Sequence, residues 1–298
     1  MAHGQAELKR LSEDEARSLL EAIRWPNGPV CPFCSSTQFV NLKSRAGLRH
    51  CKECRKQYTV TVGTVMERSR VKMWQWVYVF AAMAASKKGI SSHQLSRELG
   101  VQYKTAYFMC QRARYAMCHG PDLPKLSGTL EMDETYVGGK PRNPGEVREK
   151  MPVVVLLERG GRARGLVTCD VTANTLRKHV TTNADMSSRF MTDESPLYKT
   201  TGKKFAGGHE TVTHSQREYA RGDAHSNTAE SYFSLLKRGV YGTYHHVSPE
   251  HLHLYVAEFD FKWNFRKVTD TERAHEVMRM VEGKRLYYRT PKAIQAGK

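Results

Sequence analysis

The chain has 298 residues and a formal net charge of +17, from 47 Lys and Arg against 30 Asp and Glu. A balance that basic points to a polyanionic partner, and nucleic acid fits best, because each neutralised phosphate releases counterions. The opening MAHGQAELKRLSEDEARSLL lacks the apolar core of a signal peptide, no lipidation motif is visible, and the apolar run Trp76–Ala85 falls short of the ~20 residues a membrane span needs. The sequence therefore reads as a soluble, cytoplasmic protein with no membrane partner. Its length suits two or three small domains.

Residues 1–24 read as an N-terminal helix. Residues 25–68 carry Cys31-Pro-Phe-Cys34 and Cys51-Lys-Glu-Cys54, four of the seven cysteines. Two tight CxxC turns separated by residues 35–50 can present four thiolates to one tetrahedral ion, so the spacing predicts one structural Zn²⁺. A disulfide pairing suits an oxidising compartment, and a redox dithiol needs only one pair. The flanking STQFVNLKSRAGLRH and RKQYTVTVG have strand character, with a turn expected at Arg45-Ala46-Gly47, which describes a zinc ribbon. Lys43, Arg45, Arg49, Lys52, Arg55 and Lys56 surround it and tilt the reading toward DNA.

Residues 69–118 carry helical periodicity. Apolar residues at 73, 76, 77, 80, 81 and 84 share one face, and Gly89 ends the pattern. A second helix starts near Ser91 or Ser92 and stops at Gly100; a third runs from about Gln102 to Met117. Helix, glycine-containing turn, helix describes a helix-turn-helix. In that geometry Gln102, Tyr103, Lys104 and Tyr107 face the major groove. Trp74, Trp76 and Phe80 read as core.

HGPDLPKLSG, residues 119–128, reads as a linker, and the pattern then changes to strands. TLEMDETYV alternates; PVVVLLERGGRARGLVTCDV reads as two strands joined at Gly160-Gly161; TANTLRKHVTTNAD reads as a helix capped by Thr172. SRFMTDES is a strand ending on Asp193, HETVTHS another, and NTAESYFSLLKRGVYG opens a long helix. Three strands, helix, strand, strand, helix is the order of a ribonuclease-H-like mixed α/β sheet. It is expected over 127–270, with 271–298 as a basic C-terminal tail.

Alternation places Glu131 and Asp133 on one face of their strand and Glu134 on the other. Glu131 and Glu134 read as solvated acids or salt-bridge partners outside any metal shell. Asp133, Asp193 and Glu230 come from three separate elements in a positive setting. Such a set suits two divalent cations, Mg²⁺ or Mn²⁺, serving an in-line phosphoryl displacement. Lys237 lies two turns after Glu230 on the same helix face.

On CPFC…CKEC, MDETYVGGK, TDES and HSNTAESYFSLLKRGVYGTYHHVSPEHLHLYVAEFDFKWNFR, the chain resembles the DDE transposases of bacterial insertion sequences, in the branch with an N-terminal zinc ribbon. The resemblance spans roughly 25–267. It implies Asp133, Asp193 and Glu230 as the metal-binding triad and Lys237 as a phosphate contact. Some members place asparagine third, which leaves Asn227 open as an alternative ligand; His225 is also near in sequence. Arg238, and Arg266 with Lys262 and Lys267, are expected at the DNA backbone. The resemblance further implies double-stranded DNA partners, namely element terminal repeats and target, a homodimer or larger assembly on that DNA, and a place at the bacterial nucleoid. Two other readings stay open: a zinc-ribbon, helix-turn-helix regulator with an inactive catalytic domain, and a stand-alone nuclease of the same fold.

Overall fold

The computed structural model describes residues 5–8, 11–120, 123–139, 150–212 and 225–286. The chain divides into two compact units: residues 1–86, 90–117 and 268–298 form one, and 87–89 with 118–267 form the other.

The first unit opens with a short helix α1 (Gln5–Leu8) and α2 (Glu13–Arg24). Ser12 and Glu15 form a capping box at the start of α2, which satisfies two backbone donors reciprocally. A three-stranded antiparallel ribbon follows: β1 (Phe39–Asn41), β2 (Arg49–Cys51) and β3 (Gln57–Tyr58). It is tied to α2 by Arg49, whose guanidinium binds both carboxylate oxygens of Glu21 at 2.9 and 2.7 Å. Arg49 is buried and lies over the rings of Trp25 and Phe39. Its job is packing, and of the six basic residues expected around the ribbon it is the one the fold withdraws from the surface.

Three helices come next: α3 (Met73–Ala85), α4 (Ser92–Leu99) and α5 (Tyr103–Met117). Ser91 caps α4, accepting from the Gln94 amide, and Gly100 ends it in the left-handed conformation at φ 64°, which glycine adopts without steric cost. Trp76 and Phe80 are core residues stacked on each other. The tail expected from 271 instead begins as helix α10 (Asp270–Arg279), capped by a Thr269–Glu272 box and packed on α3. Arg273 of α10 donates to the Ala84 carbonyl. Residues 287–298 lie outside the described part.

The second unit is a five-stranded mixed sheet between helices. Its strands are β4 (Thr129–Val137), β5 (Met151–Glu158), β6 (Ala163–Val167), β7 (Arg189–Asp193) and β8 (His209–Val212), in the spatial order β6-β5-β4-β7-β8. β4 is central, antiparallel to β5 and parallel to β7, and β7 is parallel to β8. The expected fifth strand continues to 215; its part beyond 212 lies outside the described residues. On one face, α6 (Ala173–Asn183) and α7 (Pro196–Gly202) cover Leu130, Met132, Val154 and Leu156. On the other, α8 (Asn227–Gly239) and α9 (Pro249–Asn264) cover Val137, Val153, Val155 and Leu157. A π-helical turn, Val240–Tyr244, follows α8. A Cβ at Gly239 would collide with the Phe259 ring, so glycine there lets α8 and α9 approach.

This is the ribonuclease-H-like α/β architecture, with strands joined at Gly160-Gly161 and a helix capped by Thr172 as expected. Helix α7 is an element beyond those expected, and its local signal is Pro196 at the first helical turn after Ser195.

Candidate functional site

The sheet sets the acids. β4 and β7 pair in parallel with Glu131 level with Met191. Carried two positions further, that register places Asp133, midway along β4, beside Asp193, the last residue of β7. Glu230 sits in the first turn of α8, where the helix dipole favours a negative charge. Asp133, Glu134, Glu230, Lys237 and Arg238 line one open cleft of about 870 Å³. Glu230, Lys237 and Arg238 are exposed on α8, and Asn227, its first residue, is exposed as well.

The cleft is electrostatically strained. Burial pushes the Asp133 carboxyl up to about 7, and the charges of Glu134, Asp193 and Glu230 add to the rise, against one donated hydrogen bond from the Glu134 amide at 2.8 Å. Glu134 is also raised, by burial first and then by Asp193. As alternation requires, Glu134 leaves β4 on the face opposite Asp133, where the Tyr198 hydroxyl donates to it. Four acids gathered at one site raise the cost of ionising any one of them, which a bound cation would relieve. Among the described residues, though, no three of the acids bring their oxygens within 4.8 Å of one another; only the four cysteines form such a group.

That crowding gives a testable consequence. The folded Asp133 carboxyl holds its proton to about pH 7, whereas an unfolded chain releases it near the usual 3.8. The native state therefore gains from protonation and loses stability as pH rises between those values. In EDTA at pH 8, Asp133→Asn should melt higher than wild type, by the equivalent of roughly 1–3 kcal/mol. An equal or lower melting temperature would show that Asp133 bears no such penalty.

The remaining expected residues fall into clear groups. Glu131 is not solvated: it is fully buried and ion-paired to Arg159 at 2.8 Å. Lys262 is buried against Glu258, which removes it from any DNA surface. Arg266 stacks on Trp263 and donates to the carbonyls of Gly161 and Trp263 at 2.8 and 2.7 Å. Both bonds come from Nη1, and the one to Gly161 ties the end of α9 to the β5–β6 turn. In the first unit, Gln102, Tyr103 and Lys104 are exposed at the start of α5 and Tyr107 is half-buried. Tyr103 stacks on His93, with ring centroids 4.2 Å apart, and leans on Tyr107.

The cysteines form two matching knuckles. In each, the second cysteine is followed by a residue with positive φ, Ser35 at 61° and Arg55 at 59°. In each, that residue's amide donates to the first cysteine's carbonyl, Ser35 to Cys31 at 2.9 Å and Arg55 to Cys51 at 3.1 Å. The Sγ atoms of Cys31 and Cys54, and of Cys34 and Cys51, are 3.6 Å apart. A tetrahedron with Zn–S near 2.3 Å has edges of about 3.8 Å, so the donor set and its spacing fit one structural Zn²⁺.

Residues 125–264 match the model of the ISXO2-like transposase domain, and residues 11–57 match the transposase zinc-ribbon domain. The chain is also 32% identical over 278 residues to an uncharacterized protein in transposable element ISH50 of Halobacterium salinarum, covering 86% of this chain and 93% of that protein. The chain belongs to the ISXO2-like transposase family. The transposase domain match covers the whole sheet with α6 to α9, and the zinc-ribbon match covers all four cysteines. No helix among the described residues of this transposase is long and apolar enough to cross a membrane.

Proposed function

We propose that this transposase cuts the DNA ends of its insertion element and joins them to target DNA, with Asp133, Asp193 and Glu230 as the ligands of two Mg²⁺ or Mn²⁺ ions. The observation that carries this reading is the Asp133 carboxyl, half-buried and raised to about 7 in a cleft it shares with Glu134 and Glu230 and within the field of Asp193. When bound, divalent cations supply charge stabilisation for in-line displacement at phosphorus. The protein's own part is positioning. The parallel β4–β7 pair fixes the two aspartates, α8 brings Glu230 to them, and Lys237 and Arg238 further along α8 hold a phosphate of the bound strand beside them. Such preorganisation is where most of a phosphoryl transferase's catalysis lies. The chemistry uses no cysteine or serine nucleophile. Tested on a plasmid carrying element ends, the full chain should cut at those ends in Mg²⁺ and leave them intact in EDTA. Equal cutting in EDTA would overturn the assignment of the acids.

End recognition is proposed to lie in the helix-turn-helix, with α5 in the major groove and the exposed ribbon residues Lys43, Arg45, Lys52, Arg55 and Lys56 on the backbone. Binding should weaken steeply and log-linearly with salt. Lys104→Ala should lower affinity and reduce the salt slope by about 1, while Gln102→Ala should relax base preference with little change in slope. Unchanged affinity and slope in Lys104→Ala would remove α5 from the interface. The same reading places the protein in the cytoplasm at the nucleoid, acting as a homodimer or larger assembly that pairs two ends.

A further inference from the structure

We infer that Glu131 is a positioning residue that locks the strand carrying Asp133 to the helix carrying Glu230. Its carboxylate is fully buried and is spent on the N-terminus of α8. Oε2 accepts from the backbone amides of Thr228 at 2.9 Å and Ala229 at 3.1 Å, and Oε1 accepts from the Thr228 hydroxyl at 2.7 Å. Arg159, the residue after β5, donates Nε to Oε1 at 2.8 Å, and its Nη2 donates to the His225 carbonyl at 3.0 Å, just before the helix. His225 Nδ1 stands 3.5 Å from the same carboxylate.

Each contact has a physical reason. The first turn of a helix leaves amides without intrahelical acceptors and carries the positive end of the dipole, so a carboxylate there gains on both counts. Here the carboxylate comes from the central strand of the sheet, so the bonds that finish the helix also fix it to β4. A buried charge is tolerable only with a partner, and Arg159 is that partner. The clamp lies two residues before Asp133 along β4 and two residues before Glu230 along α8. Two acids from different elements are thus held by one rigid, charge-assisted joint. Gln at 131 conserves shape but gives up one acceptor oxygen, turns an amide NH₂ toward other donors and removes the anionic partner of Arg159. The expected result is a small shift of α8 and a looser cation site.

This inference rests on the assignment of Asp133 and Glu230 to the metal site. Full-length Glu131→Gln, Thr228→Ala, Thr228→Ser and Glu230→Gln should be compared by thermal melting, by binding to element ends, by Mn²⁺ calorimetry and by joining of pre-cut ends across a Mg²⁺ titration. Glu131→Gln should fold and bind ends as wild type does, yet bind Mn²⁺ about 10–100-fold more weakly and need correspondingly more Mg²⁺ for joining. Thr228→Ala should move the same way by less, and Thr228→Ser should restore wild-type behaviour. A folded Glu131→Gln with wild-type Mn²⁺ affinity and Mg²⁺ dependence overturns the inference. If Glu131→Gln does not fold, Thr228→Ala decides: weaker Mn²⁺ binding supports the clamp and unchanged binding rejects it. Glu230→Gln separates the two claims, because unchanged Mn²⁺ binding and joining in that variant would reject the metal-site assignment itself.

Discussion

Glu230→Gln is expected to abolish both cleavage and joining, by roughly 10³-fold or more, while fold and end binding stay close to wild type. The exchange keeps the shape of a side chain that is exposed on α8, so little packing is lost. What goes is the negative charge that neutralises a dication. Asp133→Asn and Asp193→Asn should behave alike. The three should be strongly non-additive, since a site missing one ligand loses little more when it misses another. Asn227→Ala is the control. Asn227 is the first residue of α8, one turn before Glu230, and is exposed as well. Loss of both steps in Asn227→Ala with an active Glu230→Gln would make Asn227 the third ligand. Rates of end cleavage and joining, with end binding measured in parallel, decide between them.

The second large effect is expected at the ribbon. Cys51→Ser should release the single zinc and unfold residues of about 25–68 while leaving the catalytic sheet intact. The ribbon strands are two or three residues long, too short to hold themselves together. In small zinc domains the metal supplies on the order of 10 kcal/mol of folding free energy. The Arg49–Glu21 pair and the Trp25–Tyr58 contact add packing but cannot replace that. Metal analysis should find one zinc per chain in wild type and none in Cys51→Ser, and hydrogen exchange should lose protection across the ribbon only. A metal-free wild type, or an unchanged ribbon in the mutant, would reject the zinc assignment.

What could be read from sequence followed from how local the signal was. The knuckles were legible because CxxC fixes the loop geometry by itself. The bounds of α4 were legible because Ser91 and Gly100 are strong boundary residues with local causes. The strand alternation also gave the right faces: Glu134 lies opposite Asp133, and Glu131 lies with it. The fate of those acids was not legible. Whether Glu131 meets water or the end of a helix depends on Thr228 and Ala229, about a hundred positions away in the chain. The same holds for Arg49, which sequence offered beside DNA and which is consumed by Glu21, 28 positions away. Lys262 pairs with Glu258 one helical turn earlier, and only the packing of α9 shows that the pair is buried. Long-range burial of charge is the information that local periodicity lacks. A central strand that must be covered on both faces was the available hint for Glu131.

The most direct test of the central claim is a strand-transfer assay with purified full-length protein, a labelled DNA end already cut to expose its 3′-hydroxyl, and a supercoiled target plasmid. In Mg²⁺ the wild type should covalently join the labelled end to the plasmid, and EDTA or Asp193→Asn should stop it while the end remains bound. Joining that persists in Asp193→Asn, or a wild type that cuts element ends in Mg²⁺ but never joins them, would contradict the account.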